Sequence, residues 1–132
     1  MAYLIDTNII IYKFNGNKKI QDNFLRKENA LKYISAITYG ELLYGAKKSQ
    51  RIEENTQKIE LLKNLFPILP VNDPVIEIFS DLKSKYDKQG VVIDDFDLLI
   101  AATAMLYGLT LVSNNEKHFR KIKELSLENW MN

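Results

Sequence analysis

Asp6, Glu41 and Asp97 stand apart from the other acids of this chain because each interrupts or opens an apolar run. Asp6 lies between Tyr3-Leu4-Ile5 and Ile9-Ile10-Ile11, Glu41 sits inside Ile37-Thr38-Tyr39-Gly40-Glu41-Leu42-Leu43, and Asp97 precedes Leu98-Leu99-Ile100-Ala101-Ala102. A carboxylate among apolar side chains is costly to desolvate unless something pairs with it. Asp94, Asp95 and Asp97 also crowd together, and such repulsion is relieved by protonation, by solvent or by a cation. Ser113, Asn114 and Asn115 add hydroxyl and amide oxygens directly after Leu111-Val112. All these groups offer oxygen, and an oxygen-only set with room for water suits magnesium or manganese rather than zinc or copper.

Each group also has an ordinary structural use. Asp6, Thr7 or Asn8 can cap a following helix. Thr38 followed three residues later by Glu41 matches a capping box. Asp94 or Asp95 can cap the helix that Asp97 enters, and Asn114-Asn115 can form an Asx turn before Glu116. Capping accounts for one of the three clustered acids, not for all of them.

The composition narrows the chemistry further. The chain has no cysteine, which removes disulfides, thiolate metal sites and cysteine nucleophiles and fits a reducing cytoplasm. Its one histidine, His118, excludes catalysis by paired histidines and metal sites built on several imidazoles. With 18 basic and 17 acidic residues the formal charge is +1, so a polyanionic partner must be held by a local patch. No basic, apolar leader is evident at the N-terminus. The longest apolar run, Leu98 to Leu109, is broken by Thr103 and is too short for a bilayer, so no membrane association is expected.

A length of 132 residues predicts a single domain spanning 1–132. Tyr3-Leu4-Ile5 reads as a buried strand feeding a helix, and Ala30 to Ser35 as a second strand followed by a helix from Ala36 to Lys48. Arg51 to Leu65 has an amphipathic pattern, Ile68 to Val71 reads as a third strand, and Asp73-Pro74 opens a helix to about Lys88. Asp94 to Tyr107 reads as an interior helix, Thr110-Leu111-Val112 as a fourth strand, Glu116 to Lys123 as a short basic helix, and Leu125-Ser126-Leu127 as an edge strand. Gly16-Asn17 and Lys88-Gln89-Gly90 mark turns. Short apolar strands alternating with helices predict a mostly parallel sheet of four to five strands covered on both faces, with ligands beyond the strands' carboxyl ends. The candidate groups, read as coming from four strand-to-helix junctions, are expected to converge in one acidic pocket at that sheet edge.

Taken together, Leu4-Ile5-Asp6-Thr7-Asn8, Ser35-Ala36-Ile37-Thr38-Tyr39-Gly40-Glu41-Leu42, Asp97-Leu98-Leu99-Ile100-Ala101-Ala102 and Leu111-Val112-Ser113-Asn114-Asn115 through Phe119 resemble the PIN domain, in its VapC toxin branch. The ending Leu127-Glu128-Asn129-Trp130 is similar too. The resemblance implies a three-layer α/β/α sandwich and a Mg2+- or Mn2+-dependent endoribonuclease, the toxin of a type II toxin–antitoxin pair. It places metal ligands at Asp6, Glu41 and Asp97. Where the family commonly has a fourth acid this chain has Asn115, which weakens a tightly held second metal, and Ser113 stands where threonine is frequent. The implied reaction is in-line attack of water on a phosphodiester, leaving a 5′-phosphate and a 3′-hydroxyl.

Lys13, Lys47, Lys48, Arg51, Arg120 and Lys121 are the candidates for guiding RNA, with Tyr12, Phe14 and Tyr44 as stacking surfaces. His118 reads as an exposed helix residue. The resemblance further implies a small antitoxin whose C-terminal tail crosses the active-site groove, operator DNA bound only through that antitoxin, and a homodimer using Leu42, Leu43 and Tyr44. Transfer or ribosomal RNA loops are the implied substrates. A phosphoacceptor receiver domain also gathers acids around magnesium, but it expects adjacent acids after the first strand and a lysine after the last core strand. This chain has Asp6-Thr7 and Ser113-Asn114 instead. A PIN fold that binds RNA or protein without turnover, or a PIN nuclease outside a toxin–antitoxin pair, is the alternative.

Overall fold

A computed structural model describes all 132 residues. Its strands are β1 (Ala2–Ile5), β2 (Leu31–Ser35), β3 (Ile68–Leu69), β4 (Thr110–Val112) and β5 (Leu127–Glu128). Its helices are α1 (Thr7–Phe14), α2 (Lys18–Arg26), α3 (Ala36–Lys47), α4 (Ile52–Leu65), α5 (Asp73–Lys88), α6 (Asp95–Leu106) and α7 (Glu116–Phe119). The sheet order is β3-β2-β1-β4-β5 and every pairing is parallel. Alternate residues of a strand face opposite sides. Tyr3 and Ile5 therefore join one core with α1, α2, α3 and α4, through residues such as Ile9, Phe24, Leu42 and Leu62. Leu4 joins a second core with α5, α6 and α7, through Leu82, Ile100 and Phe119. Two cores on one sheet make the expected three-layer sandwich. No helix is long and apolar enough to cross a membrane.

The order of the strands decides where a ligand can sit. The chain runs outward from β1 to β2 and β3, then returns to place β4 on the other side of β1. Helices crossing from β1 and β4 diverge at that reversal and open a crevice beyond the strands' carboxyl ends. Asp6 follows β1 and Ser113 follows β4, so both stand at that end of the sheet.

Several local expectations change. Helix α2 has no counterpart in the sequence reading; Asn17 caps it, accepting from the Ile20 amide at 3.1 Å, and only Ile20 and Phe24 are buried in it. Asn72, not Asp73, caps α5, accepting from the Val75 amide. The basic helix expected from Glu116 to Lys123 stops at Phe119, because Ile122 turns into the core and its amide bonds back only three residues, to the Phe119 carbonyl. The final strand lies at Leu127–Glu128 rather than Leu125 to Leu127, since it is Leu127 and Glu128 that pair with Leu111 and Val112. Gly16 and Gly90 adopt φ of 77° and 72°, which fits the two expected turns.

Candidate active site

Asp6 is 6% exposed and both of its oxygens are engaged. Oδ1 accepts the Thr7 amide at 2.8 Å, capping α1, and Oδ2 accepts the Ser113 hydroxyl at 2.7 Å. The same Ser113 oxygen accepts the Asn115 amide at 2.9 Å, tying the loop after β4 to the end of β1. Capping and site membership therefore coexist in Asp6.

Glu41 is not part of a capping box. Ser35 caps α3 by accepting the Thr38 amide at 3.0 Å, which places Thr38 inside the helix and leaves Glu41 free of the cap. The Glu41 carboxylate instead accepts the Thr7 hydroxyl at 2.6 Å. Of the clustered acids, Asp94 caps α6 through the Phe96 and Asp97 amides, and Asp95 pairs with Lys83 at 2.7 Å. Both are thereby spent on structure. Asp97 is half-buried, with Oδ2 3.4 Å from Nδ1 of His118. Asn115 makes no capping bond through its side chain; its amide nitrogen lies 3.1 Å from the same Nδ1. One ring nitrogen cannot serve both neighbours at once: it donates to Asp97 as an N–H or accepts from Asn115 as a lone pair. His118 is thus a neighbour of Asp97 as well as a surface residue.

Charge couples the three acids. Burial pushes the Asp6 carboxyl up to about 6, the Ser113 and Thr7 bonds oppose the rise, and the negative charges of Asp97 and Glu41 add to it. Asp97 is raised by burial and by Asp94, opposed by His118, with a further contribution from Glu41. Asp97 has His118 as its ion-pair neighbour, and neither Asp6 nor Glu41 is paired with a lysine or arginine. The acids do not close a cage of their own. Glu41 borders two clefts, of about 340 and 540 Å³, and neither includes Asp6 or Asp97. No three His, Asp or Glu side chains converge closely enough to enclose a metal ion unaided. Oxygen donors that are only partly offset in charge, with no closed cage, fit a small divalent cation that keeps part of its water, which is how magnesium usually binds.

The basic candidates are dispersed. Lys47 and Lys48 are exposed at the end of α3, Lys48 with its ammonium 5.2 Å from the Tyr44 ring. Lys13 lies over Phe24 at 5.1 Å. Arg51 pairs with Glu54, Arg120 with Glu116, and Lys121 bonds the Val92 carbonyl. Tyr12 accepts from the Asn114 side chain, whereas Phe14 and Tyr44 are exposed. Leu42 is a correction: it packs in the core at 5% exposure, leaving half-buried Leu43 and exposed Tyr44 on the outer face. Thr7, which the sequence offers only as a possible cap, reaches two of the acids, Asp6 through its backbone amide and Glu41 through its hydroxyl.

A parallel sandwich with carboxylates grouped at its strand-order reversal is the frame of α/β domains that gather acids where a divalent cation can bind. The PIN domain family model matches residues 3–125. Ribonuclease VapC2 of Haemophilus influenzae is 38% identical over 133 residues, covering 99% of each chain. The tRNA(fMet)-specific endonuclease VapC of Shigella flexneri is 30% identical over 131 residues, covering 98% of each. The structure of VapBC2 from Rickettsia felis, bound to a DNA fragment from their promoter, superposes with a TM-score of 0.91 at 33% identity, covering 98% of this chain and 99% of that one. The chain belongs to the PIN-domain family, in the branch of the VapC ribonucleases.

Proposed function

We propose that the protein is a divalent-metal-dependent endoribonuclease, the toxin of a type II toxin–antitoxin pair, which cuts loops of structured RNA and thereby halts translation. The observation that carries this reading is the electrostatic coupling of Asp6, Asp97 and Glu41 at the strand-order reversal, where His118 beside Asp97 is the one basic side chain in contact with them. Asp6 and Asp97 would hold Mg2+ or Mn2+, and Glu41 would bind it directly or through water. Such a cation supplies a more acidic water and positive charge beside the scissile phosphate. The chain's own groups do the rest. Ser113 fixes one oxygen of Asp6, the Thr7 amide fixes the other, and a Glu41 oxygen orients the attacking water in line with the leaving 3′-oxygen. The products are a 5′-phosphate and a 3′-hydroxyl. Asn115 carries no charge, so a second cation would arrive with the substrate.

Transfer RNA is the first substrate to test, because a relative of this length is named for one. Lys47 and Lys48, with exposed Tyr44 beside them, are the best placed of the six cations to meet a backbone and a base, since neither is tied in an ion pair. The cleft bounded by Ile11, Phe14, Leu42, Ala46, Ile59 and Glu41 suits the apolar part of an antitoxin tail, whose arginine or lysine would then pair with the acids. Solved VapBC complexes of similar chains, one on promoter DNA, support that partner and support operator binding through it. The outer face at Tyr44 and Phe96 would serve a homodimer. Expressed alone in bacteria, the wild-type chain should arrest growth within a few generations, and Asp97→Asn should not. Equal growth arrest by the two would contradict the reading; so would a wild type that leaves growth unaffected.

A further inference from the structure

Thr7 begins α1 at the one place where two of the acids can be reached from a single residue. Its amide donates to Asp6 Oδ1 at 2.8 Å, and its hydroxyl donates to Glu41 Oε1 at 2.6 Å, across 34 residues of sequence. The hydroxyl distance is in the range of charge-assisted O–H···O⁻ bonds. The helix does not need this hydroxyl, because Asp6 already supplies the cap. Behind it stands the buried Thr38 hydroxyl, 3.2 Å from Thr7 Oγ1. A hydroxyl carries one proton, so once Thr7 gives its proton to Glu41 it can only accept from Thr38. The bonds then run in one direction, Thr38 to Thr7 to Glu41, and each strengthens the next.

We propose that Thr7 is a positioning residue that joins Asp6 and Glu41 into one unit, and that by bonding Oε1 it fixes the orientation in which the Glu41 carboxylate meets a hydrated cation or the attacking water. The proposal rests on the nuclease reading for its consequence in catalysis, but not for its consequence in cation binding. A Glu41 freed from Thr7 regains side-chain rotation and can swing away from Asp6 or turn both oxygens outward, and either change misplaces the charge that a cation meets.

The test compares Thr7→Val, which keeps the shape and the amide but removes the hydroxyl, with Thr7→Ser, which restores it. Two readings are taken: kcat and KM on RNA, and the Mn2+ concentration that half-saturates the thermal stabilisation of the protein without RNA. Thr7→Val should lower kcat and weaken Mn2+ binding, each by about 10- to 100-fold, the usual effect of losing a group that orients a ligand. KM should stay within about twofold, and Thr7→Ser should recover most of both losses. In a Glu41→Gln background Thr7→Val should add little, since the two changes remove one interaction. Unchanged Mn2+ binding and kcat in Thr7→Val would overturn the proposal, as would equal losses in Thr7→Ser or full additivity with Glu41→Gln. Should Thr7→Val not fold, Thr7→Ala removes the same hydroxyl and is read in the same way. A wild type that cuts no RNA refutes the nuclease reading, and the Mn2+ series alone then decides the role of Thr7.

Discussion

Asp6→Asn is expected to lower RNA cleavage by about 10³-fold or more while making the cation-free protein more stable. The two effects have one cause. A buried carboxylate that helps to hold a cation next to a phosphate contributes several kcal/mol to the barrier, and each 1.36 kcal/mol is tenfold in rate. The same carboxylate burdens the fold when no cation offsets it. Its pKa rises from 3.8 to about 6 on folding, so the folded chain holds a proton that the unfolded chain has released. Stability from this group is complete below pH 3.8 and is lost as pH rises through about 6. The loss amounts to at most about 3 kcal/mol at neutral pH. Asparagine cannot ionise and keeps the oxygen that caps α1. In a chelator at pH 7.5 the variant should melt on the order of 5 to 10 °C above wild type, and the difference should shrink toward pH 4. A variant less stable than wild type at pH 7.5 would show that Asp6 is already compensated by something other than a cation.

Trp130→Ala carries the largest expected loss of stability. Trp130 is 3% exposed and packs edge-on against Tyr3 and Phe24, with ring centroids 5.1 and 5.0 Å apart. Its backbone carbonyl accepts from the Asn23 side chain, and the neighbouring Asn129 donates to Asn114 in the loop after β4. Truncation would leave a cavity beneath β1 and loosen the loop that carries Ser113 and Asn115. A cost of about 3–5 kcal/mol is expected from the buried aromatic alone, a large share of the roughly 5–15 kcal/mol that holds a domain of this size. Urea denaturation of wild type and variant measures it. A midpoint shift worth less than about 1 kcal/mol would mean that the C-terminal segment is not integral to the core.

What was legible in the sequence divides along physical lines. Apolar periodicity and strong breakers located β1, β2, β4, α3, α5 and α6 to within a residue or two, because burial dictates those patterns. Helix α2 escaped because only Ile20 and Phe24 turn inward among polar neighbours, and a stripe that narrow does not stand out. Asp73, and Thr38 as an alternative, look like caps in the sequence because adjacent residues of similar chemistry compete for the same amides, and tertiary packing selects Asn72 and Ser35. Leu42 was placed on the outside because a helix with apolar residues on several faces does not reveal which face the sheet takes. Asp6, Glu41 and Asp97 were legible as acids in apolar company. Thr7 was not, since its partner is 34 residues away and a threonine after an aspartate at a helix start is ordinary. The spacing implies convergence of the acids, and the fold brings their charges into mutual influence without closing a cage around them.

The most direct measurement maps new RNA 5′ ends after incubation of purified wild type and Asp97→Asn with total transfer and ribosomal RNA, in Mg2+ and again with chelator. Wild type in Mg2+ should produce a small set of 5′-phosphate ends within loops, absent from both the chelated sample and the variant. Identical ends in all samples, or none with wild type in Mg2+, would contradict the account.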